Sequence, residues 1–172
     1  MTPQEFIGCY GVKFLYHFTD SANLDLIRER GALLSLERLE SEGITPPRPG
    51  GNEWSRDADR LNQVHRFVHL SFFPKHPMCH VAEQEGRIGP VTWLKIDPMV
   101  LSRPDARFTL DVANKSGVEL LDFENAVANL DLGVMFSYTN WTDPAIQERR
   151  QTAEKAEILI PDLIKIESIL NT

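Results

Sequence analysis

Ala156-Glu157-Ile158-Leu159-Ile160-Pro161 is the stretch on which the reading of this chain turns. Its aliphatic run predicts a short strand, and Pro161, which has no N–H to offer a neighbour, stops it. Side chains alternate along a strand, so Glu157 and Leu159 share one face, and Ile158 and Ile160 the other. A carboxylate set among aliphatic neighbours is costly to bury unless it is paired or used. A glutamate is equally what an exposed edge strand carries, where charge guards against pairing with other chains. The stretch alone leaves both readings open.

Working outward, Asp143-Pro144 pairs an N-cap with a first-turn proline and predicts a helix from Ala145 to about Lys155. Leu163 to Ile169 reads as a final strand. Phe67 to Phe73 is a strong strand, with Val68, Leu70 and Phe72 on one side and Phe67, His69, Ser71 and Phe73 on the other. Val12 to Phe18 and Val91 to Ile96 are further strands, and Val134 to Tyr138 is strand-like. Short helices are expected over Ala22 to Arg30, closed by Gly31, over Leu36 to Glu42 after Ser35, and from Asp122 to about Leu130. Ile44 to Asn62 reads as a long irregular loop, because Thr45-Pro46-Pro47-Arg48-Pro49-Gly50-Gly51 cannot continue a helix. The tally is six or seven strands and four modest helices without regular alternation. That excludes a doubly wound parallel sheet and predicts an α+β fold in a single domain, residues 1–172.

The 172 residues suffice for one sizeable core, and 42% hydrophobic with 25% charged residues is ordinary for a globular chain. No apolar run is long enough to span a bilayer and no signal-peptide core follows Met1, so a cytoplasmic protein is expected. The two cysteines, Cys9 and Cys79, are too few for a disulfide framework. A net charge of −7 argues against a nucleic-acid binder, but the distribution is uneven. Arg56, Arg60, Arg66, Lys75 and four of the five histidines fall between Trp54 and His80. Such a strip can hold a short single strand or a pyrophosphate, or be a solvated loop.

Three sets of side chains carry candidate chemistry. His17, between aromatics at the end of the first strand, is placed either to meet a ligand or to sit hydrogen-bonded in the core. Arg56 and Arg60 can clamp a pyrophosphate in bidentate fashion, or simply pair with Asp57 and Asp59. His65 and His69 would lie roughly 13 Å apart on a strand, too far for one ion, and no other spacing suits zinc, so no metal is expected. Neither a glycine-rich phosphate loop nor a nucleophile elbow occurs.

Taken together, four stretches resemble the DarT family, toxins that ADP-ribosylate DNA. They are Tyr16-His17-Phe18-Thr19 with Asn23-Leu24 and Ile27; Val68 to Pro74 with Pro77-Met78; Asp111 to Val118; and Trp141 to Ile160 with Arg149-Arg150. The resemblance implies an ADP-ribosyltransferase fold, a split, mainly antiparallel sheet with helices around an NAD⁺ cleft. It implies that His17, Phe18, Thr19, Asn23, Leu24 and Ser71 hold NAD⁺, and that Glu157 is the catalytic glutamate. It calls for an arginine before the second motif, for which the chain offers Arg56 and Arg60, with Arg60 preferred. Ser71 and Phe72 stand where the family often has tyrosine. The implied partners are single-stranded DNA and a neutralising macrodomain antitoxin of the DarG type, with no membrane. The Asp111-to-Val118 segment leans toward guanine rather than thymine as the acceptor.

The chemistry is coherent with that resemblance. Breaking the nicotinamide–ribose bond builds positive charge on the sugar, which a fixed carboxylate favours. Glu157 could also bind a ribose hydroxyl or take a proton from the attacking base. The alternatives are a transferase of the same fold acting on RNA or protein, and a non-catalytic module that binds NAD⁺ or nucleic acid.

Overall fold

A computed structural model describes all 172 residues, Met1–Thr172. The chain runs α1 (Pro3–Tyr10), β1 (Leu15–Asp20), α2 (Leu24–Arg30), β2 (Ala32–Leu34), α3 (Leu36–Ser41), α4 (Glu53–Leu61), β3 (Phe67–Ser71), α5 (Pro77–Gln84), β4 (Val91–Ile96), β5 (Arg107–Thr109), α6 (Phe123–Asn129), α7 (Leu132–Phe136), α8 (Pro144–Ala153), β6 (Glu157–Pro161) and β7 (Leu163–Lys165). Five strands form one antiparallel sheet in the order β4-β1-β3-β6-β5, and β2 pairs with β7 in a separate ribbon. This is the split antiparallel α+β arrangement expected.

Strand β6 occupies the interior of the sheet, between β3 and β5, so Glu157 is not on an exposed edge. The alternation along β6 holds. Ile158 and Ile160 enter the main core with Leu15, Leu70, Leu94 and Ile96, all buried. Leu159 enters a smaller cluster with Val64, Phe67 and Ala113 on the opposite face, the face Glu157 shares. Helices α1, α6 and α7 close the main core through Phe6, whose ring meets Phe72, Phe123 and Phe136 edge-on.

The split in the sheet has a local cause. β1 and β3 share a single register pair, Tyr16 with Ser71, and then splay. The His69 carbonyl is left without a strand partner, and the His17 side chain takes its place, donating Nδ1–H at 2.8 Å.

Four expectations are corrected. Residues 53–61 of the supposed loop are helix α4, because Asn52 caps it by accepting the Ser55 N–H and no breaker follows Gly51. Val134 to Tyr138 is not a strand: Asp131 caps α7 over Leu132–Phe136. The last strand ends at Lys165 and continues as a 3₁₀ turn over Ile166–Ser168. Helices α1 and α5 add to the few expected, each opened by an N-cap and a first-turn proline.

Candidate active site

A cleft of about 540 Å³ opens along the split between β1 and β3 and extends beneath α3 and α4. His17, Phe18, Thr19, Asn23 and Glu157 are among the residues that line it. Its lining combines apolar side chains, among them Leu26, Ile27, Leu33, Leu36, Leu39 and Ile44, with Arg48, Arg56, Asp59, His69 and Glu157.

Glu157 begins β6 and is 5% exposed. Its register partners are Ser71 on β3 and Thr109 on β5. The loop after β5 folds back over it, and the Ala113 N–H donates to Oε2 at 2.9 Å. His69 Nδ1 lies 3.2 Å from the same oxygen. His76 Nε2 lies 3.1 Å from Oε1, poorly aligned for a hydrogen bond, so that contact is electrostatic in character. Burial alone would raise the carboxyl's pKa, but the hydrogen bond and charge of His69, with His76 close by, overcome it and hold the group down at about 2.

The protonation of the histidines follows from what they face. His69 has an acceptor at each ring nitrogen, Glu157 at Nδ1 and the Val64 carbonyl at Nε2, 3.1 Å away. Only the imidazolium can donate to both. Burial pushes its pKa down, yet Glu157, with Asp59 nearby, lifts it to about 9. His76 caps α5 by accepting the Met78 N–H at Nδ1, which leaves its proton on Nε2, toward Glu157. His17 gives its Nδ1 proton to the His69 carbonyl; burial lowers its pKa to about 4, so it is neutral with a free Nε2 lone pair. The site therefore holds an ion pair, His69⁺ with Glu157⁻, beside a neutral His17.

The other candidates separate. Arg56 lines the cleft and is half-buried. Arg60, the preferred one, lies outside it and is held by Glu40 and by Asp57 at 2.7 Å. The two are four residues apart on α4, but only Arg56 turns inward. Leu24 faces the core rather than the cleft. Ser71 is buried and outside the cleft, its hydroxyl turned onto the Phe73 carbonyl at 2.7 Å. Asn23 lines the cleft but spends its amide on the backbone of Arg48, donating to its carbonyl at 2.7 Å and accepting its N–H at 2.9 Å. It pins the Pro-rich loop, and Arg87 holds the same loop by donating to the Gly50 carbonyl.

Sequence reasoning missed His69, His76, Asp59, Arg48 and the Ala113 N–H as parts of the site. The histidines between 65 and 80 are a visible signal in the sequence, which reads as a basic strip or a metal set and not as partners for Glu157. Asp59, whose pKa burial raises, is brought to the cleft by the unforeseen helix α4. The Asp111-to-Val118 segment has a structural role: Asn114 accepts from Asn62 at 2.7 Å and donates to Ser55 at 3.3 Å, which ties the Glu157 loop to α4.

Comparison with known proteins returns one family and several solved structures. Residues 16–171 match the family model described as "ssDNA thymidine ADP-ribosyltransferase, DarT". No curated protein sequence matches the chain. Among solved structures, Thermus sp. 2.9 DarT in complex with ADP-ribosylated ssDNA is similar with a TM-score of 0.67 at 20% identity, over 92% of this chain and 79% of that one. The same protein in complex with NAD⁺ gives a TM-score of 0.58 at 20% identity, with the same coverage. Thermosipho africanus DarTG in complex with ADP-ribose gives 0.66 at 20% identity, over 91% of this chain and 42% of that one. At such identities the likeness concerns the fold, and it is the ADP-ribosyltransferase fold.

Proposed function

The chain belongs to the DarT family, and from that premise we propose that it transfers ADP-ribose from NAD⁺ to thymidine in single-stranded DNA, with Glu157 as the catalytic carboxylate. The observation that carries the residue assignment is a buried, ionised glutamate in the lining of a cleft large enough for a dinucleotide. The family description names thymidine, against the lean toward guanine drawn from residues 111–118.

The lowered pKa of Glu157 selects among its possible roles. A carboxylate held near 2 is a poor proton acceptor at neutral pH, so it acts through its charge and as an acceptor for a ribose hydroxyl. Its negative charge faces the sugar carbon as the bond to nicotinamide breaks. The bonding pair leaves with nicotinamide and neutralises the pyridinium, the attacking atom of the base bonds to the sugar carbon, and the base's proton passes to solvent. His69⁺ and the Ala113 N–H hold the carboxylate in place before the reaction, so little reorganisation is needed. Arg56 and Arg48 supply the positive charge for the pyrophosphate, and the apolar side chains of the lining receive the adenine. Asn23 acts indirectly, by holding the loop that carries Arg48. The acceptor base must be out of a stack to be reached, which favours a single strand.

The test mixes the protein with NAD⁺ and single-stranded oligonucleotides that lack one base at a time, and reads product masses. Addition of one ADP-ribose only where thymine is present, and none with Glu157→Gln, is the expected result. Modification of thymine-free strands, or undiminished transfer by Glu157→Gln, would overturn it. A DarG-type macrodomain that removes the modification is part of the same proposal, supported by the similarity to Thermosipho DarTG. Growth arrest on expression, relieved by such a macrodomain, is its expected signature. Cytoplasmic action fits these substrates; no helix is long and apolar enough to cross a membrane.

A further inference from the structure

Among the twelve arginines of this acidic chain, seven are neutralised by carboxylates: Arg28, Arg30, Arg38, Arg60, Arg87, Arg103 and Arg149. Of the remainder, Arg48 and Arg56 face the cleft, Arg66 lies over the Phe67 ring, and Arg107 donates to backbone carbonyls. Arg150, like Arg66, stacks on a ring without a carboxylate partner, but its ring is an exposed one. Its guanidinium carbon stacks 3.3 Å from the centre of the Trp141 ring, and its N–H groups reach only the Thr139 hydroxyl, at 3.3 and 3.4 Å. Trp141 is 58% exposed and Tyr138, three residues earlier, is 96% exposed.

We infer that Tyr138, Trp141 and Arg150 form a docking platform for the DNA strand that flanks the acceptor base. This rests on the reading of the site as a single-strand modifier. Exposed aromatic faces with an uncompensated guanidinium are the combination by which proteins hold single strands, the rings stacking on bases and the cation meeting phosphate. The aromatics are presented by an ordered turn. Asn140 Oδ1 accepts from the Thr142 N–H and hydroxyl, at 3.1 and 2.8 Å, and the Trp141 carbonyl accepts from Gln147 at 2.8 Å.

The platform lies close in the chain to the catalytic carboxylate. Arg150 shares a small hollow with Phe73 and Glu154. Glu154 is paired at 2.8 Å with Lys75, and the next residue, His76, touches Glu157. Seven residues of chain separate Arg150 from Glu157, which bounds their distance at about 25 Å, within reach of a short single strand. The other exposed tryptophan, Trp54, is flanked on α4 by Glu53 and Asp57, and no cation stacks on it, so it suits a polyanion poorly.

The experiment measures affinity for fluorescent single-stranded oligonucleotides across salt concentrations, alongside NAD⁺ affinity, for wild type, Tyr138→Ala, Trp141→Ala, Trp141→Phe and Arg150→Gln. Each alanine variant is expected to weaken DNA binding by roughly 5- to 150-fold, the range for loss of one base stack. Trp141→Phe should recover most of it, and NAD⁺ affinity should stay unchanged in all. Arg150→Gln should reduce the slope of log affinity against log salt by about 0.7, one phosphate contact on a single strand. Wild-type DNA affinity and salt slope in every variant would overturn the platform while leaving the transferase reading intact. A wild-type protein that binds NAD⁺ but no single strand would overturn both.

Discussion

Replacing His69 with leucine tests the ion pair at the centre of the site. The substitution removes the cation that donates to Glu157 Oε2 and to the Val64 carbonyl, while its volume stays near that of the imidazole. Glu157 keeps the Ala113 N–H and the neighbouring His76, so it is weakened rather than stranded. Breaking a buried pair from one side costs about 3–5 kcal/mol; the contacts that remain place this case near 3. At about 2–4 °C per kcal/mol for a chain of this size, the melting temperature at pH 7 should fall by roughly 6–12 °C. Transfer should also weaken, and its acid limb should move to higher pH as Glu157 loses the partner that keeps it ionised. Glu157→Gln removes the charge that needs the cation, so adding His69→Leu to Glu157→Gln should cost less than His69→Leu alone. Thermal unfolding of the four proteins of this double-mutant cycle gives the coupling directly. A fall under about 2 °C for His69→Leu at pH 7, with strictly additive effects in the cycle, would refute the ion pair.

Stability against pH follows from the same groups. His69, raised from 6.5 to about 9, contributes stability that is complete below pH 6.5 and is lost as pH rises through 9. His17, lowered from 6.5 to about 4, contributes above pH 6.5 and loses it as pH falls through 4; Glu157, lowered from 4.5 to about 2, contributes above 4.5 and loses it toward 2. A denaturant-midpoint series should therefore peak near pH 6.5, and a steady rise to pH 9 would contradict these assignments. Arg56→Ala should raise the KM for NAD⁺ at least tenfold, whereas Arg60→Ala, which breaks only exposed pairs, should change turnover less than twofold; the reverse order in steady-state kinetics would return Arg60 to the site. Asn23→Ala should free the loop of residues 44–52, read as faster amide exchange there and weaker NAD⁺ binding without loss of fold.

What was legible in the sequence was local. The alternation of Glu157 to Ile160, the cap and proline at Asp143-Pro144, and the strands around His17 and His69 each follow from neighbours in the chain, and the structure keeps them. Helix α4 was hidden because the Pro-rich run before it reads as a breaker, although Asn52 restarts the chain. Arg56 and Arg60 are indistinguishable in composition, and only the helix phase, with Glu40 waiting for Arg60, separates them.

The sequence by itself determined that a carboxylate would stand among aliphatics at the start of a strand, that an α+β sheet would form, and which family's motifs it carries. Tertiary structure alone decided that this strand lies inside the sheet. It decided too that a histidine from β3, another from the cap of α5 and a backbone N–H from the loop after β5 converge on that carboxylate. Patterns of burial repeat every two or four residues and can be read from a chain. The charge state of Glu157 depends on groups 44, 81 and 88 residues away, and no local rule reaches that far.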